Sequence, residues 1–204
     1  MLRCFYSLAF VACLFIGPAG PVAAQAPGQC VITQTEGEAV VSARGAGRQP
    51  AVVGLGLGTN ATLRTRADAR VVMECSGGLR VVLGPDSRIR LSGLLQGAQA
   101  PLGLRLLDGI AGFLFDGDGS DGVQVRTPSA VAAVRSTEWA MRVQDRASAV
   151  FTREGAVFVV GREGRVRLEP GNGVDVTARG AVGPVVDWGQ ARIDRFKALL
   201  GPAW

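Results

Sequence analysis

The chemistry open to this sequence is mostly arginine chemistry. Of its 22 basic side chains 21 are arginine, the exception being Lys197, and there is no histidine. A guanidinium stays protonated at physiological pH, so it holds carboxylates and phosphates well and serves poorly as a general base. Without imidazole there is no Ser-His-Asp or Cys-His triad and no histidine-ligated zinc or iron. No serine sits in a Gly-x-Ser-x-Gly elbow. The glycine series Gly54 to Gly58 lacks the Gly-Lys-Ser/Thr ending of a phosphate loop. The acidic loop from Asp116 to Gly122 carries the remaining candidates. Asp116, Asp118 and Asp121 echo a calcium-binding β-roll repeat, but such sites form between tandem copies and this loop occurs once. A solvated hairpin loop is the reading the residues favour, and no metal is expected. Nor does anything in the sequence force one of these carboxyls into an apolar pocket, as glycoside hydrolysis requires. A non-enzyme with no cofactor is expected.

The elements that would position these residues are short. Glycine punctuates the chain, and alternating runs lie between the glycines. Ile89 and Leu91 oppose Arg88 and Arg90; Val123 and Val125 oppose Gln124 and Arg126; Trp139, Met141 and Val143 oppose Ala140 and Arg142; Val166 and Leu168 oppose Arg165 and Arg167. Period-two alternation between turn residues marks half-buried strands. Turns are expected at Ser76–Gly78, Gly84–Asp86, Glu154–Gly155, Arg162–Gly164 and Pro170–Gly173. The fold class is therefore all-β, many short strands in a twisted β-solenoid-like or sandwich-like arrangement, with one C-terminal helix. That helix is announced by Asp187-Trp188-Gly189-Gln190, which has the form of a capping box, and by an apolar stripe of Ala191, Ile193, Phe196, Leu199 and Leu200. It either docks over the β-core or offers Trp188, Arg192, Arg195 and Phe196 to a partner.

The first 26 residues read as a cleaved signal peptide. Arg3 precedes an apolar run from Phe5 to Ile16, and Gly17, Pro18 and Pro21 lead to small residues at Ala23, Ala24 and Ala26. The run is short for a membrane span, and Val11-Ala12-Cys13 is a poor lipobox without its leucine. Export places the product in the periplasm. Of 204 residues 178 remain, with a single domain over 27–183 and a helix and tail over 184–204. The composition, 48% apolar and 19% charged with net charge +5, suits a soluble globular protein. The two cysteines left, Cys30 and Cys75, are a candidate disulfide in an oxidising compartment, the alternative being two buried thiols. The spread of arginines through alternating strands reads as a solvated face, so no nucleic acid partner is expected. An acidic partner or peripheral contact with anionic headgroups stays open.

The stretch Val125-Arg126-Thr127-Pro128-Ser129-Ala130 through Val134-Arg135-Ser136-Thr137-Glu138-Trp139 is the most distinctive in the chain. It resembles the signature of FecR-type domains, in which a strand, a Thr-Pro pair and a small-residue run lead to Val-Arg-Gly-Thr and an aromatic. Gly58–Thr65, the Ser87…Leu91 element, Glu154-Gly155-Ala156-Val157 and Leu168–Gly171 resemble further family elements in the same order, so that the likeness runs over about residues 36–180. Ser136 stands where the family has glycine. The resemblance implies a non-catalytic β-domain that passes signals or holds partners in the cell envelope, with iron-siderophore sensing as the best-known setting. The signature residues Thr127, Pro128, Arg135, Thr137, Trp139, Glu154 and Gly155 are then expected to be structural: Thr137 and Trp139 in the core, Arg135 at a turn. A stand-alone domain is expected, without the family's cytoplasmic anti-sigma segment and transmembrane helix. The implied partner is another envelope protein, an outer-membrane receptor or inner-membrane sensor; a peptidoglycan- or polysaccharide-binding module is the alternative.

Overall fold

The structure is a computed structural model that describes residues 30–43, 45, 47–92, 102–116, 122–134 and 137–204. The leader and Arg135 therefore lie outside the described residues, as do Asp118 and Asp121. The chain enters through β1 (Cys30–Glu36), β2 (Ala39–Ala43), β3 (Gly47–Pro50) and β4 (Gly56–Leu57). It continues through β5 (Thr62–Thr65), β6 (Arg70–Cys75), β7 (Leu79–Leu83), β8 (Arg88–Ser92) and the long β9 (Leu102–Phe115). Four antiparallel pairs follow: β10 (Val123–Arg126) with β11 (Ala130–Val134), β12 (Thr137–Gln144) with β13 (Ala147–Glu154), β14 (Val157–Gly161) with β15 (Arg165–Leu168), and β16 (Asn172–Val176) with β17 (Val186–Asp187). Helix α1 (Gln190–Leu200) closes the chain.

Pairing arranges these strands in two layers. Sheet A runs β4-β1-β6-β7-β9-β12-β13-β16-β17. Sheet B runs β3-β2-β5-β8-β9-β10-β11-β14-β15. From β5 onward the chain advances in one direction through both layers, mostly as hairpins laid alternately in one and the other. The progression is that of a solenoid, and the product is a sandwich, so the two arrangements read from the sequence are both present. Among the named strands one pairing, β9 with β10, is parallel.

Strand β9 belongs to both sheets. Its first half pairs with β8 and β10 in sheet B, and from Gly109 onward it pairs with β7 and β12 in sheet A. The strand turns this corner at Gly109, where φ is +81° and a Cβ would lie 2.2 Å from Ser87 Oγ. That conformation and that closeness both require glycine. Ser87 Oγ accepts from the Ile110 N–H at 2.8 Å and is 2.8 Å from the Pro85 carbonyl, to which it donates. Thr65 Oγ1 completes the corner, donating to the Gly84 carbonyl at 2.6 Å and accepting from the Ser87 N–H at 2.9 Å. Buried polar groups at this corner are thus satisfied by one another.

The interior between the layers is filled by the inward-facing alternate residues, among them Ile32, Leu63, Val81, Leu104, Val125 and Val159, all fully buried. Phe113 stacks on Trp139 across β9 and β12, their ring centroids 4.9 Å apart. Cys30 and Cys75 face each other in the β1–β6 register and are bonded to one another.

Sheet A has a second apolar face, on its outside, and α1 covers it. Val72, Val82, Ile110, Ala140 and Phe151 meet Trp188, Phe196, Leu200 and Trp204 there. Two glycines make the room. A Cβ on Gly112 would lie 2.3 Å from Trp204 Cδ1, and one on Gly173 would lie 2.0 Å from Trp188 Nε1. Gly173 is therefore part of β16, and the turn expected over Pro170–Gly173 is confined to its first half. Phe151 stacks on Trp188 at 5.0 Å and meets Trp204 edge-on at 6.4 Å. Arg70 reaches the far end of the helix and donates to the carbonyls of Leu199 and Ala198, each at 2.9 Å. Those carbonyls have no partner within the helix, and the cation meets the negative end of the helix dipole. The expected capping box does not form. Asp187 is drawn into β17 and accepts from Asn172 Nδ2 at 2.6 Å, Gln190 bonds Asp194, and Gly189 is the N-cap.

Two expected outcomes follow from this packing. Reducing the disulfide, or replacing both cysteines by serine, is expected to lower unfolding stability by about 4 kcal/mol for a loop of this length, read from denaturant midpoints; unchanged midpoints would contradict it. Gly112→Ala is expected to cost about 1–3 kcal/mol by overpacking and to red-shift tryptophan emission as the Trp204 indole is levered off the sheet.

Candidate functional site

The signature segment holds the two layers together. Thr127 and Ala130 close the two-residue turn between β10 and β11, the Thr127 N–H donating to the Ala130 carbonyl at 2.8 Å. Thr127 Oγ1 accepts from the Ala130 N–H at 2.9 Å, and Pro128 supplies a fixed φ at the first turn position. The same hydroxyl lies 2.7 Å from Ser148 Oγ on β13, which is in turn 2.6 Å from Ser129 Oγ. Three hydroxyls therefore stitch a sheet B turn to a sheet A strand. They form a buried network with no imidazole to activate it. Further along, Thr137 and Trp139 are buried, as expected, and Thr137 Oγ1 donates to the Ala156 carbonyl at 3.2 Å. Gly155 passes the chain from sheet A to sheet B with φ at +74°, while Glu154 is exposed. Sequence reasoning missed Ser148; its inward parity beside Val150 and Thr152 is the signal that could have found it.

Beside this segment lies the cluster where sheet A meets the chain's last residue. Trp204 Nε1 donates to the Trp139 carbonyl at 3.2 Å, and Arg153 stands over the Trp204 ring, 5.7 Å from its centroid. Arg153 Nη1 also donates to Glu138 Oε1 at 2.7 Å. Burial raises the Glu138 carboxyl above its ordinary value; Arg153 opposes the rise, and Glu154 and Asp116 add to it. Desolvation therefore outweighs the ion pair.

The helix and sheet A frame an open cleft of about 480 Å³, lined by Arg142, Gln144, Ser148, Thr177, Arg195 and Phe196 among others. Arg192 closes one wall. It makes a two-pronged ion pair with Asp175, Nη1 to Oδ2 at 2.9 Å and Nη2 to Oδ1, and lies flat on Trp188 at 3.7 Å. Of the four residues read as a partner-binding set, Trp188 and Phe196 are buried against sheet A, and Arg192 and Arg195 line the cleft. The helix side is thus a docked element whose polar edge alone is free to meet another molecule. Asp116 is exposed at the end of β9, and no cluster of three metal-ligating side chains occurs among the described residues. The cleft carries charges of both signs, Arg142 and Arg195 beside Asp145 and the Arg192–Asp175 pair.

The raised Glu138 carboxyl has a sign that can be checked. A group that binds its proton more tightly in the folded state favours folding at low pH and loses that contribution as pH rises through the folded value. The stability of the native chain relative to Glu138→Gln is therefore expected to fall as pH rises from about 4.3 into the weakly acidic range, and then to level off. Parallel stability curves for the two proteins over that window would contradict it.

Comparison with known proteins agrees with this geometry. Residues 61–158 match the FecR protein family. No curated protein matches the chain. Two crystal structures of a candidate anti-sigma factor from Parabacteroides distasonis ATCC 8503, at 2.50 and 1.65 Å resolution, are similar in fold, each with a TM-score of 0.56 and 19% identity. Each match covers 65% of this chain and 62% of the other, so the chain spans under two thirds of the length of the structures it matches. The matched segment runs from β5 to β14 and includes the Ser87–Gly109 corner and the Thr127–Ser148 stitch, two places where the layers are joined, so it is over residues 61–158 that this chain matches the FecR domain.

Proposed function

We propose that this chain is a non-catalytic module of the cell envelope that acts in signalling or scaffolding by holding another envelope protein. One observation carries the reading. Among the described residues of the FecR-like signature, Thr127, Pro128, Thr137, Trp139 and Gly155 are spent on turns, layer stitching and core, and what they leave for a partner is surface. The similarity in fold to a candidate anti-sigma factor supports a place in signal transmission. In this reading the leader delivers the chain to the periplasm, an outer-membrane receptor or inner-membrane sensor is the partner, and iron uptake or envelope sensing is the setting. No helix among the described residues is long and apolar enough to cross a membrane. The glycan-binding alternative loses its tryptophan platforms, because Trp139, Trp188 and Trp204 are all buried, and keeps only its arginine faces.

Cross-linking in the native envelope tests the proposal, with the tag joined through a long flexible linker so that Trp204 keeps its slot. Mass spectrometry is expected to recover one envelope protein in a defined complex with the tagged chain. Recovery of murein fragments without a protein partner above background would overturn the proposal in favour of wall binding.

A further inference from the structure

The two outer faces of the sandwich differ. That of sheet A is covered by the chain's own helix, whereas that of sheet B is covered by no helix or strand among the described residues. The register of sheet B aligns its outward residues in rows across the strands. One row reads Ser42, Thr62, Arg90, Arg105, Arg126, Val131, Val160 and Arg165, each residue opposite the next on the neighbouring strand. Arg90, Arg105 and Arg126 are thus direct cross-strand neighbours on β8, β9 and β10. The rows on either side add Arg64 and Arg88, and Phe158 and Arg167.

Like charges placed directly opposite one another destabilise a sheet, and this face does little to relieve them. Arg90 and Arg105 make no ion pair or hydrogen bond among the described residues, and Arg126 bonds only the neutral Gln124. The carboxylates at these rows are Asp108, opposite Arg88, and Glu169, which pairs with Arg167 at 3.2 Å; neither meets Arg90, Arg105 or Arg126. Beside the cations lies exposed apolar surface, Phe158 at 53% and Val160 at 45% of full exposure, with Arg167 held over the Phe158 ring. A row of uncompensated guanidiniums next to an exposed aromatic fits an acidic, partly apolar ligand.

Spacing selects among such ligands. Adjacent strands lie about 4.8 Å apart, so carboxylates should repeat at nearly that interval along a line crossing the strands. An α-helix repeats about every 5.4 Å per turn, and one acidic stripe along it meets Arg90, Arg105 and Arg126 in succession. Its flanking apolar residues then reach Val131, Val160 and Phe158. A planar lipid surface fits less well, because a sheet twists by about 20° per strand and the row turns away from any plane. We infer that the outer face of sheet B is the docking surface for an acidic amphipathic helix of a partner protein, lying across β8, β9, β10, β11 and β14. This rests on the reading of the chain as a protein-binding module and specifies where and with what chemistry it binds.

The test uses the purified mature chain and a fluorescein-labelled helical peptide of about 20 residues, with a glutamate stripe flanked by leucines. Its controls are the same peptide with glutamine for glutamate, and phosphatidylglycerol vesicles. Fluorescence anisotropy is expected to show binding of the acidic peptide that weakens as salt is raised and falls at least about tenfold in the triple variant Arg90→Gln, Arg105→Gln, Arg126→Gln. The glutamine peptide is expected not to bind. The triple variant should melt about 1–3 °C higher than the native chain, since it removes opposed charges, which separates lost binding from lost folding. Equal binding by the variant, equal binding of the glutamine peptide, or capture by vesicles without peptide binding would each overturn the inference. Should it fail while envelope cross-linking still recovers a protein partner, the contact lies elsewhere on the module and the broader reading stands.

Discussion

Everything in this molecule hangs on the contact between Ser87 and Gly109. A strand can serve two layers only if it turns a sharp corner without leaving backbone groups unpaired, because buried peptide groups without partners are costly. Gly109 supplies the left-handed conformation and the missing Cβ, and the Ser87 hydroxyl takes up the Ile110 N–H that the corner exposes. With that corner made, β9 becomes the fifth strand of both sheets. Every later hairpin then has an edge to join in one layer or the other. The Thr127–Ser148 contact repeats the device in another form, tying a turn of one sheet to a strand of its opposite by hydroxyls.

The layers then diverge in what they do with their outer faces. Sheet A buries a second apolar surface under indoles seated in the Gly112 and Gly173 slots. Sheet B spends its outward positions on arginine. Both choices share one constraint, that a sheet in a two-layer sandwich has one face in the core and must settle the other. The free edges are settled too. Sheet A ends in the two-residue strands β4 and β17, and sheet B ends in β3, with Pro50, and β15, with Arg165 and Arg167. Short, charged or proline-bearing edges resist pairing with other chains.

Much of this was legible in the sequence. Alternation located β8, β10 and β15, because each has one face in the core and one in solvent, and β12, whose outer face keeps Glu138 and Arg142 on either side of the covered Ala140. The cysteine pair and the C-terminal helix were readable for similarly local reasons. Strand β9 was not, since Leu102 to Phe115 faces the core of one sheet along its first half and is sandwiched between core and helix along its second, which erases the alternation. The capping box failed because an edge strand competed for Asp187, and a local motif cannot register a competitor distant in sequence. The Asp145-Arg146 turn, both residues at positive φ, escaped notice because it contains no glycine. The arginine row was half visible. Parity put Arg90 and Arg126 outward, Arg105 lay on the unread β9, and only register makes the three neighbours.

The order in which the chain lays down its hairpins also bears on what an incomplete copy would look like. Most strands pair with neighbours close in sequence, whereas the helix finds Arg70 across 129 positions. A polypeptide cut short before Trp188 retains nearly all of its strand ladder and leaves Val72, Val82, Ile110, Ala140 and Phe151 facing water. Such a contiguous apolar patch is a recognised liability for a soluble protein. Residues 188–204 therefore act as a mark of correct folding: docked, they seal the outer face of sheet A, and undocked, they leave a patch of the kind that proteases and chaperones recognise.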